Sequence, residues 1–165
     1  MAKILMITLE PNPEAQQLTQ YEELFQIERN KFSQFFGRIL FGKEELYRRY
    51  FNSELIRWMH ANGSRFPGDN GRNDIRTEVE RSNFELIITF GIPAAKVIYK
   101  NISLDKLVEI AKDGKNRGEL VKISENTYYA GFPHVSGNAQ WCWEPIFSDY
   151  LILVQRKIQD IYGII

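Results

Sequence analysis

The amino-acid sequence predicts an α/β fold, a three-layer sandwich in which a central, mostly parallel sheet is flanked by helices on both faces. Three observations point there. Short apolar runs at residues 4–9, 84–91 and 127–132 read as buried strands, segments with apolar residues at every third or fourth position alternate with them, and no repeat, low-complexity tract or linker divides the 165 residues. A single domain, 1–165, is expected. Chains near this length bury about 68–70% of their unfolded surface, which is enough for a core without disulfide or metal staples.

Residues 4–9 end at Pro11-Asn12-Pro13, a turn at the carboxyl end of a strand. From about 14 to 40 the pattern is helical, with Leu18, Tyr21, Leu24 and Phe25 and then Phe32, Phe35, Phe36, Ile39 and Leu40, and with a break near 28–30. A second helix is expected over 43–61, because Leu46, Tyr50, Leu55, Trp58 and Met59 can share a face before Asn62-Gly63 ends it. Residues 62–74 are rich in turn formers and read as a loop that carries Arg65 and Arg72. A short helix over about 74–82 leads to the strand at 84–91. Pro93 suits the first turn of the helix expected over 93–99, and Ala94 and Ala95 let it approach the sheet closely. A helix over 103–112, strands at 119–123 and 127–132 around Ser124-Glu125-Asn126, and a loop over 133–145 come next. The last helix, about 144–162, places Phe147, Tyr150, Leu151, Val154, Ile158 and Ile161 on one stripe and closes at Gly163.

Composition excludes several classes of function. Lys+Arg 21 balance Asp+Glu 21, which argues against a protein that holds nucleic acid or membrane by bulk charge. One cysteine, Cys142, with only His60 and His134, leaves no internal disulfide and no Cys- or His-rich metal site, so no metal is expected. The apolar start is too short to span a bilayer and runs into Glu10-Pro11 without a leader's cleavage site. The expectation is a cytoplasmic monomer with no membrane partner.

In a parallel sheet, ligands bind beyond the carboxyl ends of the strands, so residues 10–13, 91–93 and 133–141 are expected to line one crevice. Neither a dinucleotide loop nor a Walker loop is present, because Gly63, Gly68 and Gly71 do not follow an apolar strand, and there is no Gly-x-Ser-x-Gly elbow. The remaining candidates are a carboxylate, Glu10, at one strand end and a histidine, His134, at another. A carboxylate can orient or deprotonate water, and a histidine can stabilise a departing anion. Taken alone, each is equally readable as a solvated or hydrogen-bonded loop residue.

The order strand-Glu10-Pro11, then Asn30-Lys31-Phe32, then Leu86-Ile87-Ile88-Thr89-Phe90-Gly91-Ile92-Pro93-Ala94-Ala95, then Phe132-Pro133-His134-Val135-Ser136 resembles the uracil-DNA glycosylase superfamily, above all its mismatch-specific and single-strand-selective branches. The resemblance covers most of the chain. It implies that Glu10 stands where the family positions the attacking water, that His134 stabilises the leaving base, and that Ser136 contacts a DNA phosphate. It further implies that Phe25 stacks on an extruded base, that Asn12 and Asn62 belong to the base pocket, and that Gln140 or Trp141 enters the vacated duplex space. Arg65 and Arg72, the latter within a stretch similar to the family's Ser-Gly-Arg-Asn, are expected on the DNA side. Three positions depart from the family: Thr8 replaces a glycine, Asn12 stands where glycine or tyrosine is usual, and Val135 replaces a proline.

The resemblance thus implies a monofunctional DNA glycosylase acting on a flipped deaminated or modified base such as uracil or hypoxanthine, with DNA as partner and no cofactor. The alternative is a protein of the same fold that only binds nucleic acid or a nucleotide. The arginines between positions 48 and 81 are interspersed with acids, which is the usual pattern of a solvated surface, while Phe32, Phe35 and Phe36 are the usual pattern of a core stripe.

Overall fold

Residues 3–8, 56–60, 71–133 and 145–163 are described by a computed structural model of the chain. The first apolar run forms β1 (Ile4–Thr8), all five residues of which are buried. Parallel neighbours flank it, with Ile4↔Ile56 to Thr8↔His60 on one side and Ile4↔Leu86 to Ile7↔Thr89 on the other. A strand covered on both faces has no solvated side, which is why its sequence is continuously apolar rather than alternating.

The strand beside it, β2 (Ile56–His60), corrects the sequence reading, which assigned these residues to the end of a helix over 43–61. Ile56 joins the core on one face of the sheet and Met59 packs against the core on the other, an arrangement that helical spacing imitates over five residues. Pairing with β1 decides the outcome.

Helix α1 (Gly71–Arg81) begins three residues before the expected 74, so Arg72 lies in a helical turn and not in the loop assigned to 62–74. Asn and Asp, which read as loop formers, are equally at home at the start of a helix. Strand β3 (Leu86–Phe90) is fully buried and leads into the single turn α2 (Ile92–Ala95), where Pro93 stands as expected. Past Ala95 the chain tightens, since Val97 and Ile98 donate to the carbonyls of Ala94 and Ala95, so regular helix does not reach 99.

Helix α3 (Leu104–Arg117) runs five residues beyond the expected 112. Asp113-Gly114 resembles a stop signal, yet a β-carbon on Gly114 would lie 2.9 Å from Tyr150 Cε2, so this glycine serves close packing between helices. Ser103 caps the helix by accepting from the Lys106 amide at 3.2 Å, and Gly118 ends it at φ 74°. The edge hairpin β4 (Val121–Ser124) and β5 (Thr127–Phe132) comes next, and α4 (Ile146–Tyr162) closes at Gly163 with φ 69°, as the sequence predicts.

The strand order is β2-β1-β3-β5-β4, parallel except for β4. Ile75 of α1 and Ala94 of α2 bury Leu5, Ile7, Ile87 and Tyr129 on one face. Leu107 of α3 and Phe147, Tyr150, Val154 and Ile158 of α4 join Ile4, Met6, Ile88 and Phe132 in the other core. The three-layer α/β arrangement therefore holds for the described residues.

Candidate functional site

Four parallel strands, β2, β1, β3 and β5, stand side by side, and their register brings their carboxyl ends to one level at His60, Thr8, Phe90 and Phe132. From β1 the chain goes outward to β2, and from β3 it goes outward in the opposite direction to β5. The reversal falls between β1 and β3, the place where α/β sheets open a crevice for ligands.

The described part of this edge is mostly apolar and closely packed. Thr8 is buried, and the Phe90 and Phe132 rings stack with centroids 5.7 Å apart at 19°. Phe132 also meets Phe147 at 6.1 Å and Tyr150 at 5.5 Å, so the end of β5 is held by a cluster of four rings. Gly91 takes φ 93° and ψ 159°, a conformation essentially closed to residues with a β-carbon, and its N–H donates to the Phe132 carbonyl at 2.8 Å. That single bond ties the exit of β3 to the exit of β5. Ala94 and Ala95 are fully buried, which is what lets α2 start directly on the sheet edge.

Behind this edge the Thr89 and Tyr129 hydroxyls share a 2.6 Å hydrogen bond that crosses from β3 to β5. Burial drives the Tyr129 hydroxyl far above its ordinary value of 10.0, against the opposing effect of the Thr89 bond. Burial likewise raises Tyr150, whose hydroxyl donates to the Tyr129 carbonyl at 3.4 Å. Both stay neutral at physiological pH, so they brace the strands and move no protons there. The sequence offered no sign of this pairing, because its partners lie 40 residues apart.

Of the residues singled out in the sequence, Glu10, Asn12, Phe25, Asn62, Arg65, His134, Ser136, Gln140 and Trp141 lie outside the described residues. Arg72 lies in the first turn of α1. The Arg57 Nε to Glu78 Oε1 ion pair, 3.3 Å, joins the C-terminal half of α1 to the start of β2, which turns the Arg72 end of the helix toward the carboxyl edge of the sheet. Among the described residues no group of His, Cys, Asp and Glu could hold a metal ion, and no helix is long and apolar enough to cross a membrane. A comparison with family models and with characterised protein sequences finds no match for this chain.

Proposed function

We propose that the protein is a DNA glycosylase that hydrolyses the N-glycosidic bond of a flipped deaminated or modified base. The observation that carries this reading is the adjacency of β1, β3 and β5 in the sheet. Glu10 follows the end of β1 by two residues, the Gly91-Ile92-Pro93-Ala94 turn follows β3, and His134 follows the end of β5 by two residues. Three motifs of the resemblance thus leave neighbouring strands at one edge, with the chain reversal between the first two.

In this reading the extruded base enters the crevice and stacks on Phe25, with Asn12 and Asn62 in its pocket. The C1′–N bond breaks with its electron pair moving onto the base, and His134 stabilises the anion that departs. Water positioned by Glu10 adds to the sugar carbon and passes its proton to the Glu10 carboxylate, and the departed base takes up a proton from solvent, leaving an abasic site. Ser136, Arg65 and Arg72 hold the DNA, and Gln140 or Trp141 fills the gap in the stack. The chain's own side chains supply every step, so no cofactor is invoked. The zero net charge fits an enzyme that grips a few phosphates and one base rather than a long stretch of duplex.

Thr8 favours a second reading. Its side chain is buried at the strand end where the resembling family has glycine, and this suits a protein that binds nucleic acid or a nucleotide in the same crevice without cutting the bond. Incubating the protein with oligonucleotides carrying uracil, hypoxanthine or larger modified bases, followed by alkali, separates the two. Excision predicts strand cleavage that Glu10→Gln and His134→Ala each largely abolish without loss of folding. Binding without abasic product establishes the second reading, and unchanged cleavage in either variant refutes the assignment of roles.

A further inference from the structure

A groove of about 480 Å³ opens between α1, residues 97–99 and the edge strand β4, lined by Arg76, Val79, Glu80, Ile98, Tyr99 and Ile123 among others. Its size falls within the roughly 300–1,000 Å³ of small-molecule sites. Lys122, which pairs with Tyr128 near the amino end of β5, places the groove away from the carboxyl edge of the sheet. Val79, Ile98, Tyr99 and Ile123 are the half-buried margin of the core on that face, so they present a fixed apolar wall.

The polar groups are few and complementary. Arg76 and Glu80 stand one helical turn apart on α1, both exposed, and among the described residues neither forms an ion pair, whereas Glu78 between them is paired with Arg57. The Lys122 ammonium lies 5.2 Å from the centre of the Tyr128 ring, which also receives Lys157 at 4.2 Å. On its helix side the groove therefore offers one fork of N–H donors beside one carboxylate acceptor, over a mostly apolar wall to which Tyr99 adds a hydroxyl and Lys122 an ammonium.

A flat heterocycle that satisfies both must carry ring acceptors next to ring donors. Guanine does so, with O6 and N7 as acceptors for an arginine fork and N1–H and the 2-amino group as donors to a carboxylate. Adenine presents an amino donor where guanine has O6 and an acceptor where guanine has N1–H, which sets like against like at both groups. We propose that this groove binds a guanine nucleoside, with Arg76 donating to O6 and N7, Glu80 accepting from N1–H and the 2-amino group, and the base lying against Val79, Ile98 and Tyr99. The site is independent of base excision and uses none of its residues.

Titration of the protein with guanosine and with adenosine, monitored by methyl NMR and calorimetry, tests this. Guanosine is expected to shift the methyl resonances of Val79, Ile98 and Ile123 and to bind about tenfold more tightly than adenosine. Arg76→Ala and Glu80→Ala, both on the exposed side of α1, should each remove most of that discrimination with the melting temperature unchanged. Equal binding of the two nucleosides, shifts confined to residues outside the groove, no shifts at millimolar guanosine, or wild-type discrimination in both variants overturns the proposal.

Discussion

Gly131, in the carboxyl half of β5, stands where no side chain fits. A β-carbon there would lie 2.5 Å from Leu107 Cδ2 and 2.6 Å from the Tyr129 hydroxyl oxygen. Both neighbours are fully buried, so each would have to retreat by nearly an ångström into packed surroundings. Overpacking of this kind costs about 1–3 kcal/mol. Displacing the Tyr129 hydroxyl also threatens its 2.6 Å bond to Thr89, and orphaning a buried hydroxyl costs a further 1–3 kcal/mol or so. Removing a glycine from a strand returns roughly 0.5–1 kcal/mol. Gly131→Ala should therefore destabilise the protein by about 1–5 kcal/mol, read as a lower urea midpoint at constant slope. Tyr129→Phe removes the oxygen that the new methyl would strike, so the double variant should lose less than the sum of the two single variants by more than about 0.5 kcal/mol. A single variant within about 0.5 kcal/mol of wild type, or strict additivity in the cycle, would show that the described contact does not govern this position.

Other perturbations test the same geometry. Tyr129 and Tyr150 hold their protons more tightly in the folded chain than at the ordinary value of 10.0, so the unfolded chain loses protons first. Stability is thus fully present below about pH 10 and falls above it, by up to about 1.4 kcal/mol per pH unit for each tyrosine, and Tyr129→Phe should make that fall shallower in urea titrations between about pH 10 and 12. A flat profile there would contradict the burial of both hydroxyls. Gly91→Ala forces a β-carbon onto φ 93° and should cost about 1–3 kcal/mol by thermal or urea unfolding, and under the proposed glycosylase function it should reduce base release by more than Gly163→Ala, whose φ is 69° at the far end of α4. Lys115 Nζ lies 2.8 Å from Asp149 Oδ2, but both side chains are about half exposed, 50% and 48%. Lys115→Ala is expected to cost under about 1 kcal/mol, and the loss should shrink further in molar salt.

Strand-exit positions such as Glu10, Gly91 and His134 can be picked out in the sequence because they follow apolar runs. The order in the sheet of the strands that precede them was not legible. Nothing local indicates that β1, β3 and β5 are neighbours, or that the chain reverses between β1 and β3. Arg72 reads as a loop residue because Gly, Asn and Asp signal a helix start and a turn with the same vocabulary. The groove of Arg76, Glu80 and Tyr99 leaves no trace in the sequence, since its lining comes from three separate segments.

By itself the sequence determined the features that depend on a residue and its immediate neighbours. The runs of β1, β3 and β5 are apolar on both faces, Ser103 caps the helix that starts at the very next residue, and Gly163 supplies the left-handed turn that ends α4. Tertiary structure decided the features that depend on a partner far along the chain. Ile56–His60 became a strand because β1 offered its edge, and α3 ran through Gly114 because Tyr150 needed the space that a glycine leaves. The reason is the same in both cases: periodicity and capping act over a few residues, whereas strand pairing and helix contact are settled by free energy released between segments that only the fold brings together.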